Sequence, residues 1–299
     1  ATLNVYEMGS TFKVFTIAAA LEYSKLKLTS PFDASHPLKI SSYMIKDYHP
    51  ENRVLTTKEV FIKSSNIGSS LIALQLGSKN LKQFYSDLGI LNYSQIELFE
   101  KSRPLLPQKW GQIETATISY GHGISVTPIH MLEAASLVFG EKGYSNLSIL
   151  RQNISKKEIN KNIISNSTRK KLIQLMEDNI NVGTAKKAKV SGYKIGGKTA
   201  TGEKINIYGR YDKKRLVSSF LAIFPTDKPK YISLVLFDEP YLIEENKKTK
   251  YGATGGKTAA PVTANIITNI VQFLDITKDI QKDNQLIVKN RDKFNFASY

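Results

Sequence analysis

The order of its segments constrains this 299-residue chain most. Helix-forming stretches come first, three strand-like runs follow them, and one more helix closes the pattern. The strand-like runs are 193–201, 215–224 and 231–238, with a turn signal at 227–229 between the last two. Parallel neighbours need a crossover of a dozen or more residues, and no helical pattern separates these runs. The sheet is therefore predicted antiparallel, and the fold class α+β.

The helical part is punctuated clearly. Phe12, Phe15, Thr16, Ala19 and Ala20 form an i, i+3, i+4 stripe over 10–23, with Ser10 or Thr11 able to cap it. Residues 24–57, holding Pro31, Pro37 and Pro50, are predicted irregular. A second helix is predicted from Ser64 to Leu76, stopping at Gly77. Residues 99–127 read as a long ordered loop. Thr127-Pro128 then supplies a cap and a first-turn proline for a helix ending at 140–143. Further helices are predicted over 167–181 and from Pro261 to Leu274. Residues 275–299 read as a charged tail.

Composition narrows the function classes. At 41% hydrophobic the chain can build a large core, and without Cys it has no disulfides. Its longest apolar runs, 220–225 and 232–237, are far short of the ~20 residues of a membrane-spanning helix. The net charge of +16 raises the possibility of a nucleic-acid binder. Residues 151–171 carry much of that charge but only aliphatic neighbours, so they read as a solvated helix face, and no nucleic-acid partner is predicted. The four histidines, His36, His49, His122 and His130, lack metal-ligand spacing, and no metal or other cofactor is predicted.

Three short strings could carry chemistry. In Gly9-Ser10-Thr11-Phe12-Lys13, Ser10 and Lys13 project from one helix face. A desolvated lysine amine can take the proton that makes a serine hydroxyl nucleophilic. Alone, the string reads equally as a capped helix with a surface lysine. In Lys63-Ser64-Ser65-Asn66, Ser64 could relay a proton and Asn66 hold an amide, or both could be capping residues. In Gly196-Gly197-Lys198-Thr199-Ala200-Thr201-Gly202, alternation puts Lys198 and Ala200 opposite Thr199 and Thr201. Its glycines would let another element approach the backbone.

In this order the three resemble the Ser-x-x-Lys, Ser-x-Asn and Lys-Thr-Gly elements of penicillin-binding proteins and serine β-lactamases. The strings YEMGSTFKVFT, KSSNIGSS, ISYGHGISVTPIHML, GGKTATGEK and FDEP together resemble the transpeptidase domain of class B penicillin-binding proteins, of the division-specific peptidoglycan D,D-transpeptidase type. The resemblance covers residues 1–274. It implies an antiparallel sheet with helices on both faces, whose first strands lie upstream of Ala1.

It also implies a serine acyl-enzyme mechanism. Ser10 would be the nucleophile, Lys13 its base, and Ser64 and Lys198 the proton donors to the leaving group. Asn66, Thr199 and Thr201 would bind substrate, and the Ser10 and Thr201 N–H groups would form the oxyanion hole. The implied substrates are peptidoglycan stem peptides, with β-lactams as covalent inhibitors. The implied setting is the periplasmic face of the inner membrane, by an anchor outside this chain, beside a lipid-linked glycan polymerase and divisome proteins. One departure stands out: Ala200 and Thr201-Gly202 occupy positions where the family has Gly and Thr-Ala, so a methyl enters the floor of the site.

Three rivals remain in view. A serine β-lactamase needs a water-activating base, for which Glu114 is the candidate. A non-catalytic β-lactam sensor shares the three elements. A P-loop nucleotidase fits the Gly-x-x-x-x-Gly-Lys-Thr spacing at 192–199, but that loop should follow an apolar strand and open a helix. The second GGKTA, at 255–259, reads as a loop before the last helix, with Lys257 near the site.

Overall fold

A computed structural model describes residues 1–140, 147–150, 162–206, 208–244, 247–274, 276 and 278. A single 3-10 turn, Gly9–Thr11, leads into α1 (Phe12–Tyr23). Four short strands follow, β1 (Pro31–Asp33), β2 (Leu38–Ile40), β3 (Tyr43–Ile45) and β4 (Val54–Thr56), paired as β1 with β4 and β2 with β3. The helices α2 (Thr57–Lys63), α3 (Asn66–Leu76), α4 (Ser78–Asp87), α5 (Gln112–Ile118), α6 (Pro128–Phe139) and α7 (Asn166–Asn181) come next. The main sheet is β5 (Gly196–Ile205), β6 (Tyr211–Phe224) and β7 (Tyr231–Asp238), and a small hairpin, β8 (Leu242–Glu244) and β9 (Lys247–Thr249), precedes α8 (Ala259–Ile270).

The main sheet is antiparallel in the order β5-β6-β7, as the missing crossovers required. Its alternation sorts two cores. Leu221 and Ile223 of β6, with Ile232, Leu234 and Leu236 of β7, face the large helical core around α1. Phe220, Ala222 and Phe224, with Val235 and Phe237, face a second core closed by α8. Strands covered on both faces read as near-continuous apolar runs, which is why 216–224 and 231–237 show little polar alternation. Among the described residues β7 pairs only with β6, so its outer edge has no strand beside it.

Several boundaries differ from expectation. The stripe on 10–23 marked one apolar face, but every residue from Phe12 to Leu21 is buried, making α1 a central helix enclosed by the others. The helix expected from Ser64 begins at Asn66, because Ser64 is left-handed (φ 60°) and terminates α2 instead. Helix α4 was not expected, although Leu81, Phe84 and Tyr85 bury one side of it. The region 24–57 holds β1–β4, and α5 lies inside the stretch read as a loop. Thr127 does cap α6, accepting from the His130 N–H, with Pro128 in its first turn. Of the basic stretch 151–171, residues 151–161 lie outside the described residues, as does nearly all of the tail 275–299. In α7, Arg169 is not on a solvated face: it is buried and donates to the Val138 carbonyl.

Candidate active site

Three elements converge at the edge of β5 that pairs with no strand among the described residues: the turn opening α1, the α2–α3 junction, and β5 itself. Gly9 makes the first approach possible. It is left-handed (φ 53°), and a methyl built on it would stand 3.1 Å from the Thr201 carbonyl oxygen. Gly197 does the same on the far side, where any side chain would strike the ring of Phe220. Gly255, in the loop before α8, lies against the backbone of Ala200 and Ser219 with no room for a methyl.

Lys13 is fully buried, so it is not the surface lysine that the string alone would allow. Its Nζ lies 2.9 Å from Ser10 Oγ, 2.7 Å from the Ser64 carbonyl oxygen, 2.7 Å from Asn66 Oδ1 and 3.2 Å from Ser64 Oγ. Burial lowers its pKa well below the ordinary lysine value; the Lys198 charge adds to this and Asp47 opposes it. The two 2.7 Å partners are oxygens that can only accept. A neutral amine has two N–H bonds for them and one lone pair left over. That lone pair is available to a hydroxyl, and Ser10 is the nearer one. Asn66 is held in this orientation because its Nδ2 donates to the Lys46 carbonyl at 3.2 Å.

Lys198 is also fully buried, and burial brings its pKa down to about 7. Its Nζ is 2.8 Å from Ser64 Oγ, so this hydroxyl sits between two amines. Such a bridge can carry a proton from one side of the site to the other. Thr199 and Thr201 face the α8 side, as alternation predicts. The Thr199 hydroxyl pairs with that of Thr184 at 2.6 Å, and Thr201 Oγ1 accepts from the Gly255 N–H at 3.1 Å. Ala200 points the other way, buried, with β5 and β6 in unbroken register through it.

Other side chains at the site had no role assigned from the sequence. Asn179, wholly buried at the end of α7, donates to the Gly197 carbonyl and accepts from both the N–H and hydroxyl of Thr184. Glu7 accepts from the Gly123 N–H and from Tyr211, and burial raises its pKa. His122 stacks on Tyr211, and burial with the nearby Lys13 charge lowers its pKa to about 4. Asn179 lies in a helix and Glu7 and His122 in irregular chain, and in neither setting does a single polar residue carry a periodic signal.

The rivals fare differently. Residues 196–205 form a strand where a phosphate loop would open a helix, which removes the P-loop reading. Glu114 accepts from the Gly111 N–H as an N-terminal partner of α5. Lys257 is exposed in the loop before α8, as expected of the second GGKTA. Among the described residues no three His, Cys, Asp or Glu side chains gather as a metal site.

An amine, not an imidazole, stands beside Ser10. A serine beside a buried lysine amine is the pairing found in serine acyl-transfer sites that use a lysine base, and differs from a Ser-His-Asp triad. Comparison with known proteins agrees: residues 1–268 match the penicillin binding protein transpeptidase domain, and the chain belongs to that family. It is 37% identical over 287 residues to a protein of Caulobacter vibrioides named "Probable peptidoglycan D,D-transpeptidase FtsI", covering 93% of this chain and 48% of that protein. It is 30% identical to "Probable peptidoglycan D,D-transpeptidase PenA" of Neisseria flavescens, covering 97% of this chain and 70% of that one. Among solved structures, the apo transpeptidase domain of Burkholderia pseudomallei penicillin-binding protein 3 superposes with a TM-score of 0.83 at 26% identity, covering 93% of this chain and 82% of that one. The chain thus spans about half the length of the Caulobacter relative.

Proposed function

We propose that residues 1–274 form a peptidoglycan D,D-transpeptidase domain that cross-links stem peptides through a Ser10 acyl-enzyme. The observation that carries this is the position of Lys13, whose two N–H bonds are taken by carbonyl oxygens while its lone pair is left for Ser10. Ser10 gives its proton to Lys13 and attacks the carbonyl of the penultimate D-Ala. The C–N bond to the terminal D-Ala breaks, and Lys198, through Ser64, supplies the proton that the leaving amine needs. The N–H groups of Ser10 and Thr201 hold the oxyanion, a contact whose loss costs ~10²–10³ in rate in such sites. Asn66 keeps a second N–H for the acyl-chain amide, and Thr199 and Thr201 receive the terminal carboxylate. An amine of a second stem peptide then takes the acyl group and releases Ser10. A β-lactam follows the first half of this path and stays as the Ser10 ester.

The names of the relatives and the three-element site support a role in division-specific wall synthesis, at the periplasmic face of the inner membrane. A lipid-linked glycan polymerase and divisome proteins are the partners this role requires. No helix among the described residues is long and apolar enough to cross a membrane, so the anchor would lie outside them.

The test is product analysis with a D-Ala-D-Ala-terminated stem peptide and an acceptor amine. Dimeric cross-linked product with release of D-Ala is expected. Hydrolysed peptide alone, together with rapid nitrocefin turnover and no lasting adduct, would establish a hydrolase instead. A penicillin adduct without any turnover of peptide would mark a sensor.

A further inference from the structure

Ser64 occupies an unusual backbone position for its residue type. At φ 60° and ψ 39° it is left-handed, a conformation that crowds the Cβ of a non-glycine residue against its own backbone. Yet this conformation turns both its carbonyl and its hydroxyl toward Lys13. The turn is held against relaxation by Lys13 and Lys198 on Ser64 itself, and on the α2 side by Ser64 N–H to the Phe61 carbonyl and Ser65 N–H to the Val60 carbonyl.

The other side is held by Asp47, a half-buried residue just beyond β3. Its Oδ1 accepts from the Asn66 N–H at 2.5 Å and the Ile67 N–H at 2.9 Å, and its Oδ2 accepts from the Ser65 hydroxyl at 2.7 Å. Ser65 Oγ in turn accepts from the Gly68 N–H as the N-cap of α3. One carboxylate thus satisfies two of the free N–H groups at a helix start, where the helix dipole also favours a negative charge. The preceding residue, Lys46, takes Asn66 Nδ2 on its carbonyl, so Lys46-Asp47 clamps the start of α3 from backbone and side chain together. Ile45, buried beneath, fixes that segment to the core.

We propose that Asp47 is a positioning residue for acylation: it sets the turn that presents the Ser64 hydroxyl and the Asn66 amide to Lys13, and its carboxylate is joined to that amine through Asn66. The inference rests on the acyl-enzyme reading above. The charges that act on Lys13 are Lys198, which disfavours its protonated form, and Asp47, which favours it. The Tyr120 ring lies 5.9 Å from its Nζ, and the neighbouring His122 is neutral above about pH 4. Removing the Asp47 charge therefore lowers the Lys13 pKa, and the acid limb of acylation moves to lower pH. Asp47→Asn keeps an acceptor for the two N–H groups and tests charge; Asp47→Ala removes both functions.

The measurement is the second-order rate of labelling by a fluorescent penicillin across pH, for the wild-type chain and both variants. Asp47→Ala is expected to lose at least ~10-fold in rate, in line with the loss of several hydrogen bonds to a charged group. Asp47→Asn is expected to recover most of that loss, with its acid limb displaced to lower pH. Wild-type rates in both variants would overturn the proposal. So would equal losses in both with the acid limb unmoved, since a general loss of stability has that signature. Should Asp47→Ala not fold, the Asp47→Asn profile decides alone. Absence of wild-type labelling would count against the acyl-enzyme reading. The Lys13 13Cε titration in Asp47→Asn would still test Asp47, an unshifted midpoint overturning its role.

Discussion

Gly121 lies so close to Gly9 that a methyl at position 121 would stand 2.3 Å from the Gly9 carbonyl oxygen and 2.6 Å from its nitrogen. The loop after α5 thereby seats the turn that carries Ser10. Both glycines are left-handed, at φ 81° and 53°, so each also meets a backbone demand that other residues resist. Gly121→Ala should displace the Gly9-Ser10 turn from β5 and cut the penicillin acylation rate by ~100-fold or more, the scale of losing one oxyanion donor. Acylation kinetics with thermal unfolding as control check this. A folded variant with an unchanged rate would show that the seat is not needed.

The burial of Lys198 should cost the fold stability. Its pKa is about 7 in the folded chain, because of burial, against about 10.4 when exposed. The unfolded chain therefore binds the extra proton between these values, and stability rises with pH across that window. Below pH 7 the full penalty applies, on the order of 4 kcal/mol. Lys198→Met should abolish acylation yet raise the unfolding temperature, most at pH 6–7 and progressively less toward pH 10. Unfolding scans at several pH values read this directly, and a gain independent of pH would refute the burial argument.

The Asn179–Thr184–Thr199 chain bears on substrate binding. Thr184 has one hydroxyl proton and two candidate acceptors, Asn179 Oδ1 at 3.2 Å and Thr199 Oγ1 at 2.6 Å. When it donates to Thr199, the Thr199 proton is free for a substrate carboxylate. Thr184→Val removes this donor with little change in shape. Its expected effect is a weaker apparent affinity for penicillin, with the first-order acylation step within about 3-fold of wild type, since uniform binding is what is lost. A fall in the first-order step alone would place Thr184 in the chemistry instead.

Ala200 is the departure from the family pattern that touches the site. Its methyl is buried on the face shared with Lys198 and faces Gly9 across the junction of β5 with the α1 turn. Ala200→Gly should speed acylation by relieving that floor, while costing roughly 0.5–1 kcal/mol of strand stability. Rate and unfolding midpoint measured together separate the two effects. An unchanged rate would mean that the fold has already accommodated the methyl.

Much of this was readable in the sequence, and the exceptions have physical causes. The antiparallel sheet followed from the missing crossovers, and 231–238 matches β7 residue for residue because both of its faces are apolar-covered. The start of α6 followed from Thr127-Pro128. Strands β1–β4 are three residues each, too short for alternation to show, and they pair only in twos. Ser64 ended a helix where a start was expected, because nothing in a serine announces a left-handed backbone. At the site, Lys13 meets Ser10, Ser64 and Asn66, and Ser64 meets Lys198, so residues of all three strings join one hydrogen-bonded chain. Asp47 meets Ser65, Asn66 and Ile67, Asn179 meets Gly197, and Thr184 meets Thr199, each across 15 to 20 residues of chain, which no local pattern encodes.

Ser10 is the residue proposed to become the ester. Intact mass spectrometry of the chain after incubation with benzylpenicillin, followed by peptide mapping, tests it most directly. The expected result is a gain of one whole penicillin mass, located on the peptide containing Ser10 and absent from Ser10→Ala. An adduct elsewhere, or one that persists in Ser10→Ala, would contradict it, as would a folded wild-type chain that gains no mass.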